Sequence, residues 1–377
     1  QKNRRRIQCN TPRTLLRAKR SPDEDLETFY RNPNVNSGLK EAGKKKPSCC
    51  GLEGIEDARK VAFKLGIKHY VLNFDKILRE KVIDNFVEEY AQGRTPNPCV
   101  RCNQFLKFTQ LLEKAESLGA QYLATGHYAR IVEEGLRVKG QGLRLKDKRY
   151  SLLKAKDEKK DQSYFLYRLK QKQLARILMP LGSLTKDQVR KIASEFGLPV
   201  AQKPGSQEIC FVPDADYRAF LLRVSPRIAA RIKPGPILDT QGNILGRHKG
   251  IPFYTIGQRE GLGIAKGYPI YITKIDAKTN SIIVGSRQDA LSWGLIAKDL
   301  SFTGKPVKTE VVLGVKIRYN HKEISSRLAA LRGGKIRIVF SQPQFAVAPG
   351  QSAVFYDKDT VVGGGIIERQ LAHAEIN

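Results

Sequence analysis

Two cysteine sites carry the chemistry most plainly written in this chain. One is Cys99-Val-Arg-Cys102, inside Arg94-Thr-Pro-Asn-Pro-Cys99-Val-Arg-Cys102-Asn103. The other is Cys210, inside Gly205-Ser-Gln-Glu-Ile-Cys210-Phe211. Neither stretch needs a cysteine for packing alone. Two thiols on a proline-bounded loop, with a third from a distant segment, suit sulfur transfer, a redox pair or a metal cluster. A four-thiolate zinc site would need a second Cys-x-x-Cys, which the sequence lacks. A site of two cysteines and two histidines would need a closely spaced histidine pair, also missing. Cys99, Cys102 and Cys210 as cluster ligands would leave one iron open. The same three suit a nucleophile and a persulfide carrier that close to a disulfide.

The bulk numbers narrow the partners. The chain has 377 residues, 41% of them hydrophobic, enough for two or three domains with real cores. Its formal charge of +30 points to a polyanion, with nucleic acid first. No apolar run approaches the ~20 residues of a membrane helix, so no membrane partner is expected. Six unevenly placed cysteines (Cys9, Cys49, Cys50, Cys99, Cys102, Cys210) do not form a disulfide scaffold. With no apolar leader at the N-terminus, a reducing cytoplasm is the expected compartment.

The elements that must hold the cysteines follow from periodicity. Residues 1–48 are polar and basic, with Arg4-Arg5-Arg6 and Lys44-Lys45-Lys46, and read as irregular or disordered. Ile55, Ala58, Val61, Ala62 and Leu65 recur at helical spacing up to Gly66. His69–Phe74 reads as a short buried strand. Residues 76–91 read as a helix with Ile77, Val82, Ile83, Phe86, Val87 and Tyr90 inward. A loop through Pro96 and Pro98 precedes a helix over Phe105–Leu118. Gln121–Thr125 reads as a strand ending at Gly126-His127-Tyr128, and 185–197 as a further helix. This alternation is that of an α/β parallel sheet. Ligands of such sheets bind at the carboxyl ends of the strands, where Gly126 falls. After Ile251 short β-prone runs recur (Phe253–Ile256, Ile270–Ile275, Ser281–Val284, Val311–Ile317, Ile336–Phe340, Ala353–Tyr356, Val361–Gly363), as in a small β-barrel. Gly363-Gly-Gly365 reads as a tight turn or bulge, and His127 as a base or a structural histidine.

Six motifs, in order, resemble the signature set of the tRNA-specific 2-thiouridylases. They are Arg94–Asn103, Ala124-Thr-Gly-His-Tyr-Ala-Arg130, Lys160-Asp-Gln-Ser-Tyr-Phe-Leu166, Gly205–Phe211, Phe253-Tyr-Thr-Ile-Gly-Gln-Arg259 and Val315-Lys-Ile-Arg-Tyr319. The resemblance runs from about Cys49 to Gly365. It implies a PP-loop ATPase domain of α/β class with a parallel sheet (49–200), a small central domain (201–252) and a C-terminal β-barrel (253–377). It also implies ATP with Mg2+ as cofactor, tRNA as substrate, and a persulfide donor or relay protein as partner. In that family ATP adenylates the 2-oxygen of the wobble uridine, and a persulfide sulfur replaces it. By resemblance Cys210 carries the persulfide and Cys102 releases the sulfur by forming a disulfide. Asn97, Pro98 and Cys99 face the target base, and Gly126 approaches ATP. Lys160, Asp161, Gln162, Arg318 and Tyr319 touch the tRNA. Many members have Asp where this chain has Cys99, and the third thiol leaves open a [4Fe-4S] cluster with sulfide as donor.

One departure stands out. The family's first strand leads into Ser-Gly-Gly-Val-Asp-Ser, which holds the pyrophosphate, and this run is absent from the 377 residues. Either an altered or truncated product with an incomplete ATP half or a loop supplied elsewhere is therefore expected, and a non-catalytic tRNA-binding remnant is the rival to the enzyme.

Overall fold

A computed structural model describes residues 52–134, 149–205, 209–212, 216–229, 232–372 and 375. The expectations for 1–48, for Cys49 and Cys50, and for part of the basic run 137–172 lie outside these residues.

The α/β half begins with helix α1 (Leu52–Leu65). Lys203 ties its first turns down through Glu53 and Asp57, at 2.6 and 2.5 Å. Helix α2 is built from Asp75–Leu78, Arg79–Ile83 and Asp84–Ala91 run end to end, its middle piece wound as a wider π turn. Val82, Phe86, Val87 and Tyr90 are buried, the face the periodicity gives. Helix α3 runs on from Pro98–Arg101 through Cys102–Gln110 to Leu111–Ser117. It starts seven residues before the expected Phe105, so Cys99 and Cys102 sit on a helix and not on a loop. Pro98 occupies the first helical position, where a missing N–H costs nothing, and the Asn97 side chain accepts from Val100 N.

His69–Phe74 is not a strand. Tyr70, Val71 and Leu72 are exposed. The parallel sheet of this half has, among the described residues, only β1 (Leu123–Ala124) and β4 (Ile177–Leu178), with the hairpin β2 (Arg130–Glu134) and β3 (Arg149–Leu153) between them in sequence. A parallel strand persists only with neighbours and both faces covered, and no described strand pairs with 69–74. Short helix α4 (Gln171–Leu174) precedes β4, and α5 (Lys186–Glu195) follows it with Thr185 and Gln188 in a capping box. Helix α6 (Tyr217–Val224) then leads into the middle of the chain.

The middle sheet has order β6-β5-β8-β7: β5 (Gly235–Leu238), β6 (Ile244–His248), β7 (Tyr271–Asp276) and β8 (Ser281–Gly285). It crosses the expected boundary at 252/253. Phe253–Ile256 is not a strand but a connector that opens with one tight turn, Ile251–Phe253. The last third forms a closed six-stranded barrel: β9 (Leu291–Phe302), β10 (Val311–Lys316), β11 (Ile324–Leu331), β12 (Lys335–Phe345), β13 (Ser352–Asp357) and β14 (Thr360–Gln370), ring order β13-β10-β11-β12-β9-β14. Closure of β13 on β14 removes both sheet edges. Gly363-Gly-Gly365 lies inside β14, with a register shift between Gly364 and Ile366. A side chain on Gly364 would strike the Tyr167 ring at 2.8 Å.

The barrel holds the α/β half by a row of buried polar contacts. Tyr164 Oη donates to Ser352 O at 2.8 Å, Tyr167 Oη lies 3.2 Å from Ser352 Oγ, and Ser163 Oγ lies 3.3 Å from Tyr356 Oη. Next to this row, the chain leading to α3 is pinned. Thr95 N donates to Pro349 O at 2.8 Å, and Gln351 Nε2 donates to Thr95 O and Pro96 O at 2.9 and 3.0 Å. Gly350 makes this possible. Its φ is +91°, and a Cβ there would lie 2.9 Å from Thr95 O. We expect Gly350→Ala to destabilise the fold by more than about 1 kcal/mol, read as a lower urea midpoint at unchanged slope. An unaltered midpoint would show that the turn does not bind the loop.

Candidate functional site

The first turn of α3 presents the Cys-x-x-Cys pair. Cys99 is exposed and Cys102 half-buried, one helical turn apart. Pro98 and Val100 are buried, and Asn103 donates through Nδ2 to Phe165 O at 3.3 Å. Arg101, between the cysteines in sequence, turns to α2: its Nε donates to Lys81 O at 2.7 Å and its guanidinium stacks 5.0 Å from the Phe105 ring centre. Burial pushes the Arg101 guanidinium below its ordinary value. Arg94, first residue of the motif, is spent on structure. It forms a two-bond pair with Glu89 at 2.7 and 2.6 Å, which raises its pKa.

Cys210 is half-buried in a tight turn closed by Val212 N donating to Ile209 O at 3.0 Å. Its neighbours Ile209 and Phe211 join the apolar cluster of Phe86, Val87, Tyr90, Phe220 and Leu221. The Phe211 and Phe86 rings meet edge to face at 5.4 Å. Helix α2 therefore braces both thiol segments, the Cys102 turn through Lys81 and the Cys210 turn through Phe86. Ser206–Glu208, between Gly205 and Cys210, lie outside the described residues. Among the described residues no group of three or more His, Cys, Asp or Glu side chains is assembled to hold a metal ion. Cys99, Cys102 and Cys210 thus do not stand together as iron ligands in this arrangement.

Gly126 lies just past the carboxyl end of β1, exposed. A Cβ there would meet only Leu181 at 3.7 Å, so the position is open to a ligand but not shaped by one. In the turn after β4, Gly182 has no such room, since Ala129 O would lie 1.8 Å from its Cβ. Among the described residues no glycine-rich strand-to-helix turn is present to take a pyrophosphate. His127 is structural. Its Nδ1 lies 3.0 Å from Thr125 Oγ1 and its ring 5.5 Å from Phe108. Burial first, and Lys107 second, bring its pKa down to about 3.

The expected tRNA contacts divide. Asp161 is buried, with Oδ1 accepting from Ala155 N at 2.9 Å and from Ser163 N at 3.2 Å, and Oδ2 accepting from Ser163 Oγ at 2.8 Å. Gln162 Oε1 accepts from Tyr128 N at 2.9 Å. These two residues face inward and hold the turn that carries Lys160. Lys160 stands near Lys186 and Arg190. The Lys186 ammonium is pushed down by burial, then by Arg190 and Lys160, while Asp157 Oδ2 accepts from Lys186 N at 2.9 Å. Arg318 donates to Ile256 O at 3.0 Å and Ala346 O at 2.9 Å, joining the connector to the barrel. Tyr319 is half-buried, its ring centre 4.6 Å from that of Phe165. Lys154, Lys156, Lys316 and Lys322 line an open cavity of about 880 Å³ beside these residues, with Glu323 paired to Lys154 at 2.6 Å.

Sequence reasoning did not find Gln351, Gly350, Tyr164 or Lys81, which seat the thiol turn. Only Tyr164 had a signal, as part of an aromatic run, Tyr164-Phe-Leu-Tyr167, inside a basic stretch.

Three family models match: tRNA methyl transferase HUP domain over residues 28–214, tRNA methyl transferase PRC-barrel domain over 225–286, and aminomethyltransferase beta-barrel domain over 292–367. The tRNA-specific 2-thiouridylase MnmA of Acetivibrio thermocellus is 50% identical over 321 residues, covering 85% of this chain and 86% of its own length. That of Halothermothrix orenii is 49% identical over 349 residues, 92% and 91% of the two chains. That of Clostridium perfringens is 45% identical over 333 residues, 88% and 89%. No helix among the described residues is long and apolar enough to cross a membrane.

The depressed His127 pKa has a testable sign. Above the unfolded value of 6.5 both states are neutral and His127 gives no pH dependence. Between 6.5 and about 3 the unfolded chain takes up a proton that the folded chain refuses. Stability then falls with pH, at up to about 1.4 kcal/mol per unit from this group. His127→Asn should flatten the acid side of a urea-midpoint profile. An identical slope would mean that His127 is not held neutral.

Proposed function

The chain belongs to the tRNA-specific 2-thiouridylase family, and from that premise we propose that it transfers sulfur to the 2-position of the wobble uridine of tRNA, ATP-dependently, through a Cys210 persulfide and the Cys102 thiol. One observation carries the reading for this chain: the two thiol segments, 108 positions apart in sequence, are braced on the same helix, α2, at Lys81 and Phe86. A persulfide carrier and a releasing thiol must meet during turnover, and a common brace limits the movement required.

The outer sulfur of the Cys210 persulfide bonds to C2 of the uridine as the C2–O bond breaks, the 2-oxygen leaving with the group that ATP would supply. The Cys102 thiolate attacks the Cys210 sulfur, and the bond to the transferred sulfur breaks. Its electron pair stays with the new thiocarbonyl, and a Cys102–Cys210 disulfide remains. ATP with Mg2+, when bound, supplies a good leaving group at the uridine 2-oxygen, itself a poor one. Asn97, which caps α3, lies where a base brought to the thiol turn would contact the chain, and buried Pro98 sets that turn from behind. Lys160 with Lys186 and Arg190 supplies the phosphate contacts, and Tyr319 offers a ring for stacking. Asp161, Gln162 and Arg318 act behind them, by holding the turn and the connector. Basic surface and splayed loop bases are the usual terms of such recognition. The sulfur enters from a persulfide donor or relay protein, and a reducing cytoplasm suits thiols that must be reset.

A second reading is a tRNA-binding remnant that does not turn over ATP, favoured only by the lack of a glycine-rich strand-to-helix turn among the described residues. Backbone amides of such a turn are the usual pyrophosphate holder. Pyrophosphate release from ATP, dependent on unmodified tRNA, separates the two: turnover supports the enzyme, and its absence beside intact tRNA binding supports the remnant.

Cys210→Ser should abolish 2-thiouridine formation and leave tRNA affinity nearly unchanged, while binding by either form weakens steeply with salt. Undiminished thiolation by the variant would end the persulfide assignment. In a tRNA-bound structure we expect the Cys102 and Cys210 α-carbons within about 7 Å. Sulfurs still far apart there would contradict the disulfide step.

A further inference from the structure

We propose that Cys99 is the third thiol of a relay: it resolves the Cys102–Cys210 disulfide and carries the oxidising equivalents to the protein surface. The proposal rests on the persulfide reading above. It comes from the early start of α3, which puts Cys99 and Cys102 on successive turns of one helix instead of a loop. Residues three apart on a helix have α-carbons about 5 Å apart, inside the range of about 4.4 to 6.8 Å seen across disulfides, while their β-carbons must close from about 5–6 Å to about 3.5–4.5 Å. Closing such a bond tightens only the first turn, whose cap is a single 3.3 Å contact from Val100 N to Asn97. No acidic residue occupies that turn to oppose a thiolate there. Arg101, between the two cysteines in sequence, is committed to the Phe105 ring and to Lys81 O.

Exposure gives the relay a direction. Cys210 and Cys102 are half-buried, and Cys99 is exposed. A disulfide between the two half-buried sulfurs is shielded from outside reductants, since exchange requires access to the attacked sulfur. The Cys99 thiolate attacks the Cys102 sulfur. The Cys102–Cys210 bond breaks, and its electron pair leaves with Cys210 as a thiolate ready to be reloaded. A Cys99–Cys102 disulfide forms, with no net change in oxidation. An external dithiol then reduces that exposed bond, supplying two electrons and two protons and leaving as its own disulfide.

The experiment uses the full chain, loaded with persulfide and supplied with tRNA, ATP and a limiting dithiol. Disulfides are trapped by alkylation after each turnover and identified by mass spectrometry. In the unaltered protein the Cys99–Cys102 pair should accumulate. In Cys99→Ser the Cys102–Cys210 pair should accumulate instead. The ratio of steady-state to first-turnover rate should then fall at least about tenfold, because reset must wait for an outside thiol to reach shielded sulfur. Excess dithiothreitol should restore that ratio. Absence of a Cys99–Cys102 disulfide in the unaltered protein, or an unchanged ratio in Cys99→Ser, overturns the proposal. So does brown colour in anaerobically purified protein that is lost in Cys99→Ser, which would make Cys99 a cluster ligand. Cys102→Ser and Cys210→Ser are run alongside. If either still completes a first turnover, the persulfide reading fails by itself, whatever Cys99 does.

Discussion

The turn Pro349–Ser352 of the barrel is the point on which the rest depends. In four residues it accepts the Thr95 N–H, donates through Gln351 to two loop carbonyls, and receives the hydroxyls of Tyr164 and Tyr167. Tyr164 and Tyr167 are wholly buried. A buried hydroxyl without a partner is costly, so these contacts select one seating of the α/β half on the barrel. A apolar surface alone would allow sliding, because hydrophobic attraction has no direction. The start of α3 inherits its position from that seating, through Thr95, Pro96 and the Asn97 cap.

The excess of positive charge is not spread evenly over the motifs that resemblance assigns to RNA. Some of those residues are committed inward: Arg94 to Glu89, Asp161 to its own turn, and Arg318 to two carbonyls. A guanidinium that donates to backbone carbonyls 62 and 28 positions away organises the chain before it meets any ligand. Lys160, Lys186 and Arg190 are half-buried beside Asp157 and crowd one another, as the lowered Lys186 value reflects. Such a patch gains most from an arriving phosphate.

Much of this was legible beforehand. Helices α1, α2 and α5 fall within a few residues of their periodicity, because each has one regular apolar face. The thiols and their motifs were equally plain. Strand β11 was not, because Ser326 occupies an inward position between Ile324 and Leu328 and hides the alternation. Strand β9 was missed because its middle, Gly294–Ala297, is buried on both faces and shows no period of two. The prolines near Cys99 suggested a loop, whereas Pro98 is a helix-starting residue once Asn97 is seen to cap. His69–Phe74 has the composition of a strand but, among the described residues, no neighbour to pair with. The seating of the thiol turn could not be read at all, since Gln351 reaches Thr95 across 256 positions with no local pattern to announce it.

That separation has a consequence for synthesis. Ribosomes add about 5–20 residues per second, so roughly 10–50 s pass between the emergence of Thr95 and that of Gln351. Throughout that interval the nascent chain displays its dithiol without the clamp that sets its geometry. The sulfur-handling turn is finished only after Gln351 has emerged. A chain released before that point carries the cysteines but not the framework that aims them.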